Sequence, residues 1–401
     1  MPPRIVVRVL FMASQLVLFA SVCQAQSSDD VFNARTLHTL NLSINTRDLA
    51  LLHEDYRENT FYPMQLEWEG VVVRNAAVRS RGTGSRNPVK LGLQIEFGRF
   101  VAGQQFLGLD GLVLDNLWQD PAMIRESLTM ALFERLGQPA PRESYARVYI
   151  NGEYQGLYAM VEPIDARFLA RVYGTDKGYV FEYHWIRSFY GEYLGPDVAP
   201  YEDLFEPRTH QTDGALTLYQ PIAALFREVN EPDSATWRSS VEQMIDIPQF
   251  LTHAAIEEFV AEWDGLTGYA GMNNFYLYRP PDNSRHQFIV WDRDNAFQDP
   301  QTSVIDRADE NILLRRMLAY PDLHDAYLDA VKRAVRAAAA GKWLGAEIDW
   351  RNALIRQAVL DDERKQFSSE QFDAEIAFLR RFAMERPAVA LAQVGDLRQP
   401  D

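Results

Sequence analysis

Strand patterns and helix patterns occupy separate halves of this chain, and that separation restricts the fold class. Up to about residue 185 the apolar residues mostly alternate; from about residue 215 they recur at three- and four-residue spacing. "LHTLNLSI" reads as a strand, and "YPMQLEWEGVVVRNAAVRSRG" as two strands joined at Glu69-Gly70. Val89, Leu91, Leu93, Ile95 and Phe97 share one face of another strand, with Lys90, Gly92, Gln94 and Glu96 on the opposite face. "ARVYINGEYQGLYAMV" is a hairpin whose Asn151-Gly152 pair suits a type I′ turn. Helices are expected in "TRDLALLHEDY", in "DPAMIRESLTMALFERLG" with Asp120 as cap and Pro121 in the first turn, and over 166–173. "GYVFEYHW" closes the strand-rich part. Residues 186–214, rich in Gly, Pro, Tyr and acids, read as a long loop. Helical spacing then covers 215–230, 234–246, 247–263, 309–340 and 347–388, interrupted by one hairpin. These patterns give an α+β fold, with a β-rich N-terminal lobe over 37–185 and a mainly helical C-terminal lobe over 215–401.

The first 25 residues follow a different rule. Arg4 and Arg8 precede an apolar run from Val9 to Val22, and Cys23 and Ala25 fit the small positions of a cleavage site. This is the pattern of a secretory signal peptide cut near Ala25, with lipidation at Cys23 or an uncleaved anchor as the alternatives. Residues 26–36 then read as a flexible leader. Export to the periplasm, cell surface or medium is the expected localisation. Cys23 is the single cysteine, so a cleaved chain has no disulfide, thiolate metal site or cysteine nucleophile. No later run reaches 18 apolar residues, so no membrane span is expected in the mature chain. The net charge of −16 becomes −18 when the two arginines of the first 25 residues are removed. That surplus argues against a nucleic-acid partner and favours cationic partners or metal ions.

The chemistry gathers around "MNNFYLYRPPDNSRHQFIVWDRDNAF". A hairpin here brings its open ends together, so Asn273 and Asn274 at the entrance meet Asp292 and Asp294 at the exit. Asp264 lies just upstream, after "AEW". Hard cations such as Mg²⁺ take oxygen ligands of this kind, with water and phosphate completing the shell. The alternative is that these are polar turn and strand-capping residues. A second group lies in the N-terminal lobe. "RGTGS" runs from Arg81 to Ser85, and Gly82 and Gly84 would let backbone N–H groups approach phosphate oxygens. Lys90 stands on the strand just beyond, and Glu126, early in the next helix, is a candidate partner for it. Glu162-Pro163 joins a strand to a helix. The competing readings are a plain turn, a solvent-facing lysine, a helix-dipole glutamate and an ordinary connection. No zinc motif, Walker loop or G-x-S-x-G occurs, and the seven histidines lack ligand spacing. His253, on an apolar helix, reads as a packed core residue.

The blocks "VRSRGTGSRNPVKLGLQIEF", "GLDGLVLDNLWQDPAMIRESLTMALFERLGQPAP", "ARVYINGEYQGLYAMVEPID", "EFVAEWDG", "NNFYLY" and "FIVWDRDNAF" together resemble the CotH family of spore-coat-type atypical kinases. The resemblance spans about residues 40–300. It implies a two-lobed kinase-like fold that binds ATP with Mg²⁺, Mn²⁺ or Ca²⁺ and phosphorylates Ser or Thr of a protein substrate. It implies Asp264 as catalytic aspartate, and Asn274, Asp292 and Asp294 as metal and phosphate ligands. Arg81, Gly82, Gly84, Ser85, Lys90, Glu126 and Glu162 would form the nucleotide side. Two departures stand out. Many members have a lysine where this chain has Glu182, and no Ser- or Lys-rich tail is present as an attached substrate. A non-catalytic surface protein retaining the fold and a metal-dependent phosphoesterase remain alternatives.

Overall fold

The computed structural model describes residues 26–398, apart from 233–234 and 283–284. The expected signal segment, residues 1–25, lies outside the described residues. The leader expected to be flexible is not free chain. A short helix α1 (Ser28–Val31) is closed by a capping box between Ser27 and Asp30. Val31 and Phe32 are buried among the core side chains of the N-terminal lobe. Ser144 Oγ donates to the Val31 carbonyl at 2.7 Å. Two apolar side chains in an otherwise polar stretch are enough to dock it.

That core is the inside of a closed barrel. Its strands are β1 (Leu37–Ile44), β2 (Tyr62–Trp68), β3 (Val71–Arg81), β4 (Gly92–Glu96), β5 (Gly111–Asp115), β6 (Glu143–Ile150) and β7 (Glu153–Val161). Their order is β1-β2-β3-β4-β5-β7-β6, and β6 pairs parallel with β1 to close the ring. Closure leaves no free edge to pair with another chain. Alternation along β1 sends Leu40, Leu42 and Ile44 inward, onto Leu66, Trp68, Leu93, Ile95 and Val148. The Asn151-Gly152 turn forms as expected, with φ of 52° and 83°. The Asn151 side chain also bonds both the N–H and the carbonyl of Ile44, which ties the turn to β1. Helix α2 (Thr46–Glu54) packs beside β2 and sends Leu52 into this same core.

Helix α3 (Arg125–Arg135) starts four residues later than the Pro121 signal predicts. Asp120 caps a preceding turn instead, accepting from the N–H groups of Ala122 and Arg125 at 2.8 Å each. Helix α4 (Ala166–Tyr173) begins at the Asp165 cap and ends at Gly174, φ 70°. The next strand, β8 (Tyr179–Tyr183), leaves the barrel. It joins a four-stranded sheet ordered β11-β10-β8-β9, with β9 (Phe205–Pro207), β10 (Phe275–Arg279) and β11 (Gln287–Val290). The strand expected to end the N-terminal lobe therefore belongs to the second sheet. The long loop expected over 186–214 contains β9 and a one-turn helix, α5 (Ala199–Glu202).

The helical lobe comprises α6 (Ala215–Asn230), α7 (Trp237–Met244), α8 (Ile247–Phe259), α9 (Ile312–Leu318), α10 (Pro321–Ala339), α11 (Trp343–Asp361) and α12 (Ser369–Leu397). Each of the two long helical stretches expected near the C-terminus is thus broken in two or displaced at its ends. Helix α8 is buried on every side and packs against α10 and β11. It stops at Phe259 rather than 263 because Ala261 adopts φ 51° and the Val260 carbonyl is taken by the N–H of Phe297. A second core runs continuously from α3 and α4 through the sheet into α6–α12. Among the described residues no helix is long and apolar enough to cross a membrane.

Candidate nucleotide and metal site

The β10–β11 register pairs Phe275 with Val290, so the residues just outside it, Asn274 and Trp291-Asp292, lie side by side at the open end. Asn274 and Asp292 both adopt left-handed backbone, φ 55° and 51°. Asn and Asp tolerate that region better than other residues with a Cβ, and its use at both ends of one hairpin marks a constrained site. Asp264 is held between the two asparagines. Its Oδ1 accepts from Asn273 Nδ2 at 3.0 Å and its Oδ2 from Asn274 Nδ2 at 3.1 Å.

A buried layer fixes this constellation from below. Alternation along "DRD" leaves Asp292 and Asp294 half-buried and puts Arg293 wholly inside. Arg293 pairs with Glu257 of α8, which also bonds His253 Nε2 at 2.8 Å and accepts the N–H of Leu266 at 2.7 Å. Burial pushes the Glu257 carboxyl up, but Arg293 and His253 outweigh it and hold it below the ordinary range. Glu257 thus stays ionised and anchors both the Asp264 loop and the hairpin exit. His253 is a core residue, as expected, packed edge-on against Phe133. Gly265 is needed here because a Cβ at this position would overlap the Glu257 carboxylate.

The barrel supplies the opposite wall. Arg81 at the end of β3, Asp115 at the end of β5, Glu126 of α3, Val161, Trp291 and Asp292 line one small cavity. Arg81 Nη1 lies 3.6 Å from Asp115, and its guanidinium sits over the Trp291 ring at 5.6 Å. Carboxyl groups outnumber cations in this seam. Burial pushes Asp292 up to about 6, with Asp115 and Asp264 adding to the rise and Arg81 opposing it. Burial, then Glu143, Asp292, Asp115 and Asp294, raise Glu126 well above the ordinary range. Asp294 is raised well above its ordinary value by burial and by Asp292 and Asp115. Glu143 is pushed to about 8 by burial, and both its buried oxygens lack a protein hydrogen-bond partner. Burial also raises Asp264, against the asparagine bonds that lower it.

Such a donor set suits a hard divalent cation, which takes carboxylate and carboxamide oxygens and would relieve this crowding. Asn274, Asp292 and Asp294 would be the residues to hold it. The acids here do not close around an ion by themselves. Among the described residues, the one group of three His or acid side chains with ligand atoms mutually within 4.8 Å is Glu182, His184 and Glu206, elsewhere on the second sheet. Arg208 already pairs with both carboxylates of that trio. An open carboxylate–carboxamide set is what a metal completed by phosphate and water requires.

The structure brings together Asp264, Asn274 and Asp292, with Asp294 close enough to Asp292 to be raised by it, and places Arg81 and Glu126 on the cavity that Asp292 lines. Gly82 (φ 104°), Gly84 and Ser85 form the β3–β4 loop after Arg81, pinned by Asn116 and Asn87 side chains on the Ser85 carbonyl. Two expectations are corrected. Lys90 does not pair with Glu126. Below Gly92 the strand pattern ends, Asn87 Oδ1 caps the N–H groups of Val89 and Lys90, and the faces exchange: Val89 is exposed and Lys90 buried. Lys90 Nζ binds Asp362 and the Leu157 carbonyl, each at 2.7 Å. Gly156 (φ 113°) makes this possible, because any Cβ there would overlap the Asp362 carboxylate. Glu162 is likewise committed to the fold. Its carboxylate binds Arg142 at 2.8 Å and Arg171 at 3.0 Å, and its N–H bonds the Arg142 carbonyl. Only the connection around it is left to face a ligand. At Glu182, where the resemblance implies a lysine, the adjacent Arg208 supplies positive charge, with Nε at 2.8 Å.

Asp115, Glu143, Glu257 and Arg293 were not singled out from the sequence. Asp115 had a signal, an acid ending the apolar run "GLVLD". The others gain their roles only from tertiary packing.

A β-rich lobe over a helical lobe, with a carboxylate and carboxamide seam between them, is the layout of a kinase-like protein. The chain belongs to the CotH kinase protein family, whose model matches residues 78–390. It is 22% identical over 351 residues to the inner spore coat protein H of Bacillus subtilis (strain 168), covering 86% of this chain and 93% of that one. It is 26% identical over 200 residues to invasin CotH2 of Rhizopus delemar, covering 46% of this chain and 31% of that one. Among solved structures, the Helicobacter pylori proinflammatory kinase CtkA aligns with TM-score 0.32 and 9% identity over 84% of this chain and 95% of that chain. The Golgi casein kinase aligns with TM-score 0.32 and 8% identity over 90% and 74%.

Proposed function

We propose that this chain is an exported phosphotransferase that moves the γ-phosphate of ATP to a protein Ser or Thr hydroxyl with a divalent metal. The observation that carries the reading is Asp264 clamped by Asn273 and Asn274, with Asp292 beside it at the mouth of the hairpin. A bound Mg²⁺, Mn²⁺ or Ca²⁺, held by Asn274, Asp292 and Asp294, supplies charge neutralisation on the phosphates. Arg81 lines the same cavity as Asp292, held 3.6 Å from Asp115, and takes the phosphate-binding role in place of the buried Lys90; Glu126 lines that cavity too. Asp264 orients the attacking hydroxyl and accepts its proton. Burial favours that uptake by raising its pKa, and the asparagine bonds fix its rotamer. Positioning and electrostatics supply most of the rate in such a transfer. Export follows from the pattern of the first 25 residues.

The test is a thermal shift of the protein with ATP and each of the three metals, run beside Asp292→Asn and Asp264→Ala. Saturation at 100 times the dissociation constant stabilises the native state by about 2.7 kcal/mol. Wild type should show a metal-dependent rise, and Asp292→Asn should lose it. Asp264→Ala should keep the rise and lose transfer. Unchanged nucleotide affinity in Asp292→Asn would refute the metal assignment. Free phosphate in place of phosphoprotein would identify a phosphoesterase, and a rise without either product a binding module.

A further inference from the structure

The loop that carries Asp264 also carries an exposed aromatic rim. Trp263 and Tyr269 are 43% and 60% exposed, and Trp185 and Ile186 from the end of the second sheet are 44% and 57% exposed. The three aromatic side chains are not loose. The Trp263 carbonyl accepts the N–H of Tyr269 at 3.0 Å, and Gly268 N–H bonds the Gly265 carbonyl, so the loop is folded on itself. Trp185 Nε1 donates to the Ala270 carbonyl at 3.0 Å, which joins the two segments. The Trp263 and Tyr269 rings meet at 5.3 Å and 79°. One face of Tyr269 is covered by the Arg307 guanidinium at 3.6 Å, and Arg307 is itself held on the Thr267 carbonyl at 2.8 Å. Ile186 leads from the rim into a cavity of about 440 Å³ lined also by Arg187, Asp197, Ala199, Pro200 and Asp203.

Fixed, exposed apolar side chains of this size beside a reactive group mark a binding surface. We infer that this rim docks the acceptor polypeptide, seating an apolar side chain that flanks the acceptor hydroxyl. The inference rests on the phosphotransferase reading for the identity of the acceptor. Two features favour a polypeptide over a sugar. The rings form an angled notch, with one face of Tyr269 already occupied, rather than an open flat platform. Ile186, next to Trp185 in the chain, adds exposed aliphatic surface, which suits a hydrocarbon side chain better than a hydroxylated ring. The position also fits, since Trp263 immediately precedes Asp264 in the chain and the Tyr269 N–H closes the same loop on the Trp263 carbonyl.

The test separates docking from transfer. The full chain, expressed with its native leader, is applied without nucleotide to an array of Ser-centred peptides in which each flanking position is varied in turn. Binding should favour aromatic or aliphatic residues at one position near the serine. Tyr269→Ala and Ile186→Ser should each weaken that preference, by about tenfold for the aromatic change, on the scale of one lost ring contact plus its buried area. Melting curves report whether each variant is folded, and Ile186→Ser, on an exposed side chain, carries the test if Tyr269→Ala is not. No apolar preference, a preference that survives both changes, or binding to a glycan array through the same residues overturns the docking proposal. ATP turnover on the preferred peptide is measured separately. Docking without turnover would leave the rim standing and count against the phosphotransferase, whereas with turnover Tyr269→Ala should raise KM for the peptide and spare kcat.

Discussion

Lys90→Met separates two roles for one lysine. Lys90 and Asp362 are both 0% exposed in their side chains and meet at 2.7 Å. Burial lowers the Lys90 pKa, and Asp362 opposes that shift. The pair crosses the molecule: Lys90 precedes β4 of the barrel, and Asp362 follows α11. Removing the ammonium leaves Asp362 with the N–H of Leu157 at 3.0 Å and of Arg364 at 2.9 Å, and no cation in a buried position. Breaking a buried pair from one side costs about 3–5 kcal/mol, most of it the penalty on the stranded charge. Urea denaturation should therefore show a loss of that size in Lys90→Met. Lys90→Met combined with Asp362→Asn should recover a large part of it, because no uncompensated charge remains. Metal–ATP affinity, measured where the variant is still folded, should stay near wild type. A stability change under about 1 kcal/mol together with lost nucleotide binding would refute this reasoning and restore Lys90 to the phosphate site.

The remaining expectations concern protons. Asp292 is raised to about 6, so it is protonated below that pH and ionised above it. If its carboxylate form is the ligand, as proposed, calorimetric titration should show metal–ATP affinity steady above pH 7 and falling roughly tenfold per unit below pH 6. Glu143 is raised to about 8 from an ordinary 4.5. Between those values the folded protein keeps a proton that the unfolded chain releases, so its contribution to stability is lost as pH rises through that window. Glu143→Gln should accordingly raise the melting temperature at pH 8 and change it little at pH 5. An equal change at both pH values would rule out the protonation argument.

Local chemistry was legible where one element decided it. The Asn151-Gly152 turn, the helix over 166–173 and the 215–230 helix follow from residues within a few positions of each other. The hairpin at 275–290 was equally clear, and with it the meeting of Asn274 and Asp292. Alternation misplaces Lys90 because the strand begins only at Gly92, two residues after it. Its true partner is 272 residues away, and no local pattern signals it. The early residues 28–32 looked mobile because a polar stretch hides Val31 and Phe32, whose burial depends on a barrel still to be built. β8 reads as a strand either way, and only its pairing with β10 reveals which sheet receives it.

The parallel pairing of β1 with β6 has a consequence in time. β1 ends at Ile44, and the strand that completes its second side begins at Glu143. A chain emerging N-terminus first holds β1 half-paired while about a hundred further residues arrive. The barrel cannot close by local hairpin steps alone, since its seam joins its earliest and nearly its latest strand. Non-local seams of this kind slow folding and lengthen the life of an exposed edge. If the chain crosses a membrane unfolded, that interval falls on the far side, where an extended β1 is open to pairing with another copy. Assistance by a holding factor at that stage is where this architecture has its greatest need.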